Sequence, residues 1–185
     1  MLRLIEKYKK EVIPGMKKKF GLKNIMAVPN IERTVINIGF GRLVSGKSPK
    51  DQEKAYKDIL KDLALITGQK PVLCSAKKSI ASFKIRQGMP IGAKVTLRGK
   101  TMQDFLERLI HIALPRSRDF QGIALKSLDS DGNLNIAIKE HIDFPEVSAE
   151  KAQMIFSFQV TVVTTTKNRE QGLELLKLLG FPLKV

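Results

Sequence analysis

The sequence lacks several features that mark common protein classes. Its single cysteine, Cys74, cannot form an internal disulfide bond, so a disulfide-stabilised secreted scaffold is disfavoured. No stretch approaches the roughly 18 consecutive apolar residues of a membrane-spanning helix, and no lipidation motif is present. Residues 1–10 also lack the apolar segment and cleavage site of a signal peptide. These absences predict a cytoplasmic protein with no membrane partner.

Acidic residues are missing from one part of an otherwise mixed chain. The 185 residues include 33 Lys and Arg against 18 Asp and Glu, which gives a net charge of +15. Residues 63–103 hold eight basic residues and no acidic ones, whereas residues 104–185 hold 10 basic and 11 acidic ones. Solvated surfaces usually intersperse both signs, so the acid-free segment, residues 63–103, indicates a polyanionic partner. The chain length is typical of one domain, and we expect a single domain over residues 1–185.

Helical periodicity recurs at four places along the chain. Residues 5–20 repeat apolar side chains every three or four positions, with Pro14 kinking or dividing the helix. A second helix is predicted after Ser48, with Pro49 at its first position, and it runs to Gly68. A third helix is predicted to begin with a capping box at Thr101 and to end at a proline, residue 115. A fourth is predicted to follow an asparagine cap at residue 168.

Strands are predicted where polar and apolar residues alternate. This pattern occurs at residues 32–39, 73–76, 92–98, 133–139 and 156–166. In the third of these, Lys94, Thr96 and Arg98 would share one side and apolar residues the other. Alternation leaves one face polar, and helices interrupt the strands, so the residues predict one antiparallel or mixed sheet with a single covered face.

Residues 41–48 match the phosphate-binding loop pattern G-x-x-x-x-G-K-S, from Gly41 to Ser48. The match lies between a predicted strand and a predicted helix. However, Pro49 has no backbone N–H to offer a phosphate, and the preceding strand alternates instead of being continuously apolar. A nucleotide-binding protein that uses Lys47 in this loop is therefore the alternative hypothesis, and a glycine-rich turn before a capped helix is the favoured interpretation.

The spacing of potential ligands and nucleophiles predicts neither a metal site nor a catalytic site. His111 and His141 lie far apart without a second ligand at metal spacing, and Cys74 has no C-x-x-C partner. Asp129 and its neighbours resemble a calcium loop, but the glycine comes one position early and the twelfth position carries no acid. We therefore expect no enzyme activity, no metal and no cofactor.

The acid-free segment mixes cations, small residues and one aromatic side chain in a way that suits RNA. Lysine and arginine can neutralise phosphates, while Phe83 or the plane of Arg86 can stack on a base. Glycines and small side chains allow a close approach of the two backbones. The alternative is a solvated basic hairpin with Phe83 in the core. Charge alone favours binding to structured RNA.

The chain strongly resembles the family of the bacterial 5S-rRNA-binding protein of the large ribosomal subunit, large-subunit protein five (universal uL5). The matching segments span nearly the whole chain in order: VP at 28–29, NIG at 37–39, GQKP at 68–71, FKIRQG at 83–88, VTLRG at 95–99, RDF at 118–120, FPE at 144–146 and TTT at 164–166. The resemblance implies an α+β sandwich, with an antiparallel sheet, helices packed on one face and an open face for RNA. Residues 41–48 depart from the family pattern, so no family role is carried onto them.

The resemblance also implies two RNA sites. The open face would dock on 5S rRNA in the central protuberance, with Asn37, Gln69 and Thr96 forming hydrogen bonds to the RNA. The adjacent cations Lys70, Lys94 and Arg98 complete this predicted site. A basic loop would reach the elbow of transfer RNA in the peptidyl site, and its members are Lys77, Lys78, Ser79, Ile80, Ala81, Ser82, Phe83, Lys84, Ile85 and Arg86. Further implied partners are 23S rRNA and neighbouring ribosomal proteins.

Overall fold

The computed structural model describes residues 3–147 and 154–184. Its strands are β1 (Ile31–Gly39), β2 (Val72–Ser75), β3 (Pro90–Leu97), β4 (Leu134–Ile138) and β5 (Phe158–Thr164). Its α-helices are α1 (Leu4–Lys7), α2 (Ile13–Phe20), α3 (Gly41–Val44), α4 (Pro49–Thr67), α5 (Gly99–Arg108), α6 (Leu114–Arg116) and α7 (Arg169–Leu179). The strands form one antiparallel sheet in the order β2-β3-β1-β5-β4.

The alternation along the strands gives the sheet two different faces. In β1, Ile36 and Ile38 are buried while Asn37 between them is exposed, and β3 repeats the pattern with Lys94 exposed between Ala93 and Val95. The buried rows join a hydrophobic core to which α4, α5 and α7 contribute leucine, isoleucine and phenylalanine side chains. The predicted α+β class, with an antiparallel sheet and helices, is confirmed.

Side-chain caps and glycines set the ends of two predicted helices. The hydroxyl of Ser48 accepts a hydrogen bond from the backbone N–H of Asp51 at 3.4 Å, and α4 ends at Gly68 in the left-handed conformation. Asn168 is the N-cap of α7, and its side chain accepts a hydrogen bond from the backbone N–H of Glu170 at 3.0 Å. Among the helices of residues 3–147 and 154–184, none is long and apolar enough to cross a membrane.

Two predicted helix ends differ in the structure. No capping box forms at Thr101, because α5 already begins at Gly99 and Thr101 lies inside the helix. The helix also continues past Pro115 to the end of α6, because the preceding turn, Leu109–Ala113, widens to π-helical hydrogen bonding. Proline lacks the N–H that an α-helical turn requires, and the wider turn avoids that requirement. The π-helical turn Tyr8–Val12 precedes Pro14 in the same way, and the helical backbone again continues through the proline, so Pro14 marks a change of hydrogen bonding and does not end the first helix.

Candidate RNA-binding interface

The exposed side of the sheet forms a continuous polar surface across four strands. Asn37 lies opposite Lys94 on β3 and opposite Gln159 on β5, and in the next row Val35 lies between Thr96 and Thr161. We call this surface the open face; it consists of Val35, Asn37, Lys94, Thr96, Asn135, Ala137, Gln159 and Thr161. None of these residues is buried, and none is acidic. Asn37, Lys94 and Thr96, which the sequence assigned to one site, therefore do lie together.

A second cluster on the open face was not predicted from the sequence. The side-chain oxygen Oδ1 of Asn135 accepts hydrogen bonds from the hydroxyl of Thr161 at 2.7 Å and from the amide of Gln159 at 3.0 Å. These bonds orient the three side chains and leave the Asn135 amide nitrogen and the Gln159 carbonyl oxygen available to a ligand. The alternation of β4 and β5 predicts all three residues on this face. They are neutral, however, so the charge pattern that indicated the other RNA-binding residues does not include them.

Cations lie along one edge of the open face. Val72 pairs with Lys94 in the antiparallel β2–β3 ladder, so Lys70 lies at the same end of this strand pair as Thr96. Lys70 and Lys94 form no ion pair with any residue that the structure describes. Arg98 lies 3.3 Å from the carboxylate of Glu32, but both side chains are about half exposed and such pairs contribute little. The edge is therefore positively charged.

Gln69 is held at this edge by the end of α4. Gly68 adopts the left-handed conformation and turns the chain toward β2. The hydroxyl of the buried Thr67 lies 2.7 Å from the carbonyl oxygen of Leu63 and 3.1 Å from that of Gln69, which fixes the backbone after the turn. The side chain of Gln69 is exposed. Its predicted role as a hydrogen-bonding group is thus sterically possible.

Residues 77–88, which we call the basic loop, form an ordered hairpin that continues β2 and β3. Ala76 and Met89 close its root with a backbone hydrogen bond of 2.9 Å. Ile80 and Ile85 pair near the tip, and the 3-10 turn Ala81–Phe83 joins them. The tip and Thr96 lie toward opposite ends of β3, and six residues of strand alone span about 20 Å. The loop and the cationic edge are therefore separate surfaces.

The side chains of the basic loop are available to a partner. Phe83 is 64% exposed and Ile80 is 44% exposed, so Phe83 is not a core residue. Lys77, Lys78, Lys84 and Arg86 are all exposed, and within the described ranges none of them forms an ion pair. An exposed aromatic ring among cations without ion pairs suits stacking and phosphate contacts with RNA.

The residues that match a phosphate-binding loop do not form one. Gly41–Val44 is the short helix α3, and the backbone N–H groups of Val44, Ser45 and Lys47 donate to carbonyl groups of the preceding residues. These amides are therefore not directed at a phosphate. The preceding strand, β1, pairs antiparallel with both neighbours, whereas phosphate-binding loops follow a buried parallel strand. The structure thus disfavours the nucleotide-binding alternative.

The titratable groups with shifted pKa values lie outside the RNA surfaces. His141 is fully buried, stacks on Phe156 at 3.9 Å between ring centroids, and accepts a bond at Nδ1 from Phe156 N at 3.4 Å. Burial lowers the pKa of His141, although the carboxylate of Asp62 at 3.6 Å opposes this shift. Burial raises the pKa values of Asp62, Asp143 and Tyr8. Across the described ranges, no three His, Cys, Asp or Glu side chains are placed to hold a metal ion.

Two family models match consecutive parts of the chain. The model described as "Ribosomal protein L5" matches residues 24–86, and the model for the C-terminus of the same ribosomal family matches residues 90–183. The chain belongs to the ribosomal protein L5 family. Members of this family are structural, non-enzymatic ribosomal proteins. The first match contains Asn37, Gln69 and the basic loop up to Arg86, and the second contains Lys94, Thr96 and the open-face residues of β4 and β5.

Full-length relatives agree with the family models. The chain is 50% identical over 179 residues to the large ribosomal subunit protein uL5 of Halothermothrix orenii, with 97% of each chain covered. It is 49% identical to the proteins of the same name from Alkaliphilus oremlandii, with 98% of each chain covered, and from Syntrophomonas wolfei, with 100% covered. The predicted membership in the ribosomal L5 family is confirmed.

Proposed function

We propose that this chain is a structural component of the large ribosomal subunit and that its open face binds 5S rRNA in the central protuberance. The observation that carries the proposal is the composition of the open face, which presents amides and hydroxyls without a single acid beside a cationic edge. Membership in the ribosomal protein L5 family and relatives named as large-subunit proteins support it.

The open face and its edge offer RNA two kinds of contact, namely hydrogen bonds and ionic contacts with phosphates. Asn37, Gln69 and Thr96 are short or flexible neutral groups that can donate to and accept from ribose hydroxyls and phosphate oxygens. Lys70, Lys94 and Arg98 neutralise phosphates along the same edge. The Asn135–Gln159–Thr161 cluster extends the hydrogen-bonding surface toward β4. A footprint with both kinds of contact predicts an affinity that depends strongly on salt.

The basic loop has a second RNA partner in this proposal. Its residues from Lys77 to Arg86 contact the elbow of transfer RNA in the peptidyl site, with the cations on phosphates and Phe83 available for stacking. The exposure of Phe83 and the distance of the loop from the cationic edge support a separate partner. A hairpin that extends beyond the sheet can reach an RNA that changes during translation while the sheet remains bound to 5S rRNA.

The remaining partners follow from assembly in the subunit. We propose contacts with 23S rRNA and with neighbouring ribosomal proteins, and a single domain over residues 1–185. The described part of the chain supports the domain proposal, since one hydrophobic core cluster contains residues from Leu4 in α1 to Phe181 after α7.

Direct binding of the purified chain to 5S rRNA tests the proposed function. If about five phosphates are contacted, the logarithm of the affinity should fall against the logarithm of the salt concentration with a slope of about −3.5 to −4.5. An unrelated structured RNA of equal length serves as the control and should bind more weakly at every salt concentration. A flat salt response, or equal affinity for both RNAs, would contradict the proposal.

A further inference from the structure

A single hydrogen bond joins the tip of the basic loop to the segment that follows α3. The hydroxyl of Ser45 donates to the backbone carbonyl oxygen of Phe83 at 2.7 Å. The loop is also hydrogen-bonded to Ala76 and Met89 at its root. Beyond those root bonds, the Ser45–Phe83 bond is the only one that links residues 77–88 to another part of the described chain.

Ser45 is carried by a segment that is itself firmly held. Phe40, at the start of this segment, is 1% exposed and stacks on Tyr56 of α4 with ring centroids 5.5 Å apart. The backbone N–H of Phe40 donates to the carbonyl of Ile91 at the start of β3 at 2.9 Å. On the other side of Ser45, the amide of Gln52 donates to the carbonyl of Lys47 at 2.8 Å. Ser45 is thus a fixed point that connects the loop to both α4 and β3.

The residue after Phe83 also lies near this turn. Lys84 follows Phe83 and adopts the left-handed conformation with φ 53°, which turns the chain back toward the root. The stem of its side chain passes Gly46, where an added Cβ atom would lie 3.9 Å from Lys84 Cδ. Gly46 has φ +76°, a value that favours glycine. The Ser45–Gly46 turn therefore forms a hydrogen bond with Phe83 and faces the side-chain stem of the next residue, Lys84.

We propose that Ser45 is a positioning residue for the basic loop, because its hydroxyl holds the loop tip in one orientation for the RNA partner. This inference rests on the proposed binding of transfer RNA by the loop. A hairpin attached only at its root moves as a lever, and a partner that binds it must first restrict that motion, which costs affinity. The bond at the tip, together with the packing of the partly buried Ile85 against the core, restricts this motion before the partner arrives. It also assigns a purpose to the glycine-rich turn that resembled a phosphate-binding loop.

Three variants separate this role from a general effect on folding. Ser45→Ala removes the donor, and Ser45→Thr restores a hydroxyl at the same position. Ser130→Ala is the matched control, because Ser130 is an exposed serine in the turn before β4, outside both RNA surfaces. Thermal unfolding and 5S rRNA affinity should be close to wild type in all three variants, since the bond lies outside the core and the open face.

Limited trypsin digestion of the isolated chain measures the orientation of the loop without RNA. If the bond from Ser45 restrains the tip, it slows cleavage after Lys84, so Ser45→Ala should increase the cleavage rate about 3- to 10-fold, the range expected for one lost hydrogen bond. Mass spectrometry assigns this cleavage among the other sites. Ser45→Thr should return the rate toward wild type, and Ser130→Ala should not change it. An unchanged rate in Ser45→Ala would overturn the proposal.

The affinity of ribosomes for transfer RNA in the peptidyl site supplies the functional readout. Ribosomes with Ser45→Ala should lose affinity by a similar factor of about 3 to 10, and Ser45→Thr should restore it. Faster cleavage without any loss of affinity would refute the positioning role. Neutralising Lys84 and Arg86 in the wild-type background tests the loop function itself: if this change has no effect, the transfer RNA proposal fails, while the digestion experiment still decides whether Ser45 holds the loop.

Discussion

Asn37 of β1 lies directly opposite Lys94 of β3, and both side chains are exposed on the open face. Directly opposed residues in an antiparallel pair have Cβ atoms about 5 Å apart, so the amide and the ammonium group can contact one nucleotide together. The amide can bond to a ribose hydroxyl while the ammonium neutralises the adjacent phosphate. This pair gives the open face a defined centre, and Thr96 lies on the same face two residues further along β3.

Removing the two neutral groups at this centre should weaken RNA binding without unfolding the protein. We expect combined Asn37→Ala and Thr96→Ala to reduce 5S rRNA affinity roughly ten-fold, because each lost hydrogen bond contributes about 0.5–1.5 kcal/mol. Thermal unfolding should stay close to wild type, because both side chains are exposed and outside the core. Filter binding and calorimetry measure the two quantities. Unchanged RNA affinity in a folded double variant would rule out the open face as the binding site.

The four cations of the basic loop should matter more for transfer RNA than for 5S rRNA. We expect replacement of Lys77, Lys78, Lys84 and Arg86 by glutamine to lower transfer RNA affinity or translation rate strongly and to reduce 5S rRNA affinity only slightly. A control with equal net charge replaces four exposed cations elsewhere in the described chain, namely Lys54, Lys57, Lys126 and Lys177. Loss of 5S rRNA binding alone would refute the division between the two surfaces.

The local pattern of the sequence was sufficient to predict the two faces of the sheet. Alternation has a period of two residues, which is the period of a strand, so the pattern alone places Asn37, Lys94 and Thr96 on the polar sides of their strands. Helix caps at Ser48 and Asn168 were equally local, since the capping group and its N–H are two or three residues apart. Such features require no knowledge of distant parts of the chain.

Other parts of the site depend on contacts that no local pattern carries. The Ser45–Phe83 bond joins residues 38 positions apart, and no pattern within either segment predicts it. The Asn135–Thr161 bond is formed by neutral side chains, which the charge pattern of the sequence does not distinguish from other polar residues. The prediction of a capping box at Thr101 was wrong. The local residues match the pattern, but the chain enters the helix at Gly99, soon after β3, so Thr101 lies inside the helix.

Replacing the lysine of the phosphate-loop look-alike should leave the protein unchanged. We expect Lys47→Ala to have wild-type stability and wild-type 5S rRNA affinity, because Lys47 is exposed and forms no side-chain bond with any residue that the structure describes. Neither the wild type nor the variant should bind ATP or GTP in equilibrium dialysis. Nucleotide affinity that is present in the wild type and lost in the variant would revive the alternative function.

Stability should decrease in mildly acidic solution because of His141. The Nδ1 atom of His141 accepts a bond from Phe156 N, which requires a neutral ring, and burial lowers the pKa of His141 in the folded state. As pH falls through about 6.5, the unfolded chain binds a proton that the folded chain does not, so the free energy of unfolding falls. The decrease continues until pH reaches the lowered pKa. Asp62 and Asp143 have raised pKa values and contribute with the opposite sign as pH falls toward 3.8.

Urea unfolding at pH 7.5 and pH 5.5 separates the histidine from these carboxyl groups. The wild type should lose stability between the two pH values by at most about 1.4 kcal/mol per pH unit for this one proton. His141→Gln removes the titrating ring, so this variant should be less stable at pH 7.5 but should lose less on acidification. His111→Gln is the matched control, because His111 is exposed and lies outside the contact between His141 and Phe156. Equal pH dependence in wild type and His141→Gln would show that His141 does not control acid stability.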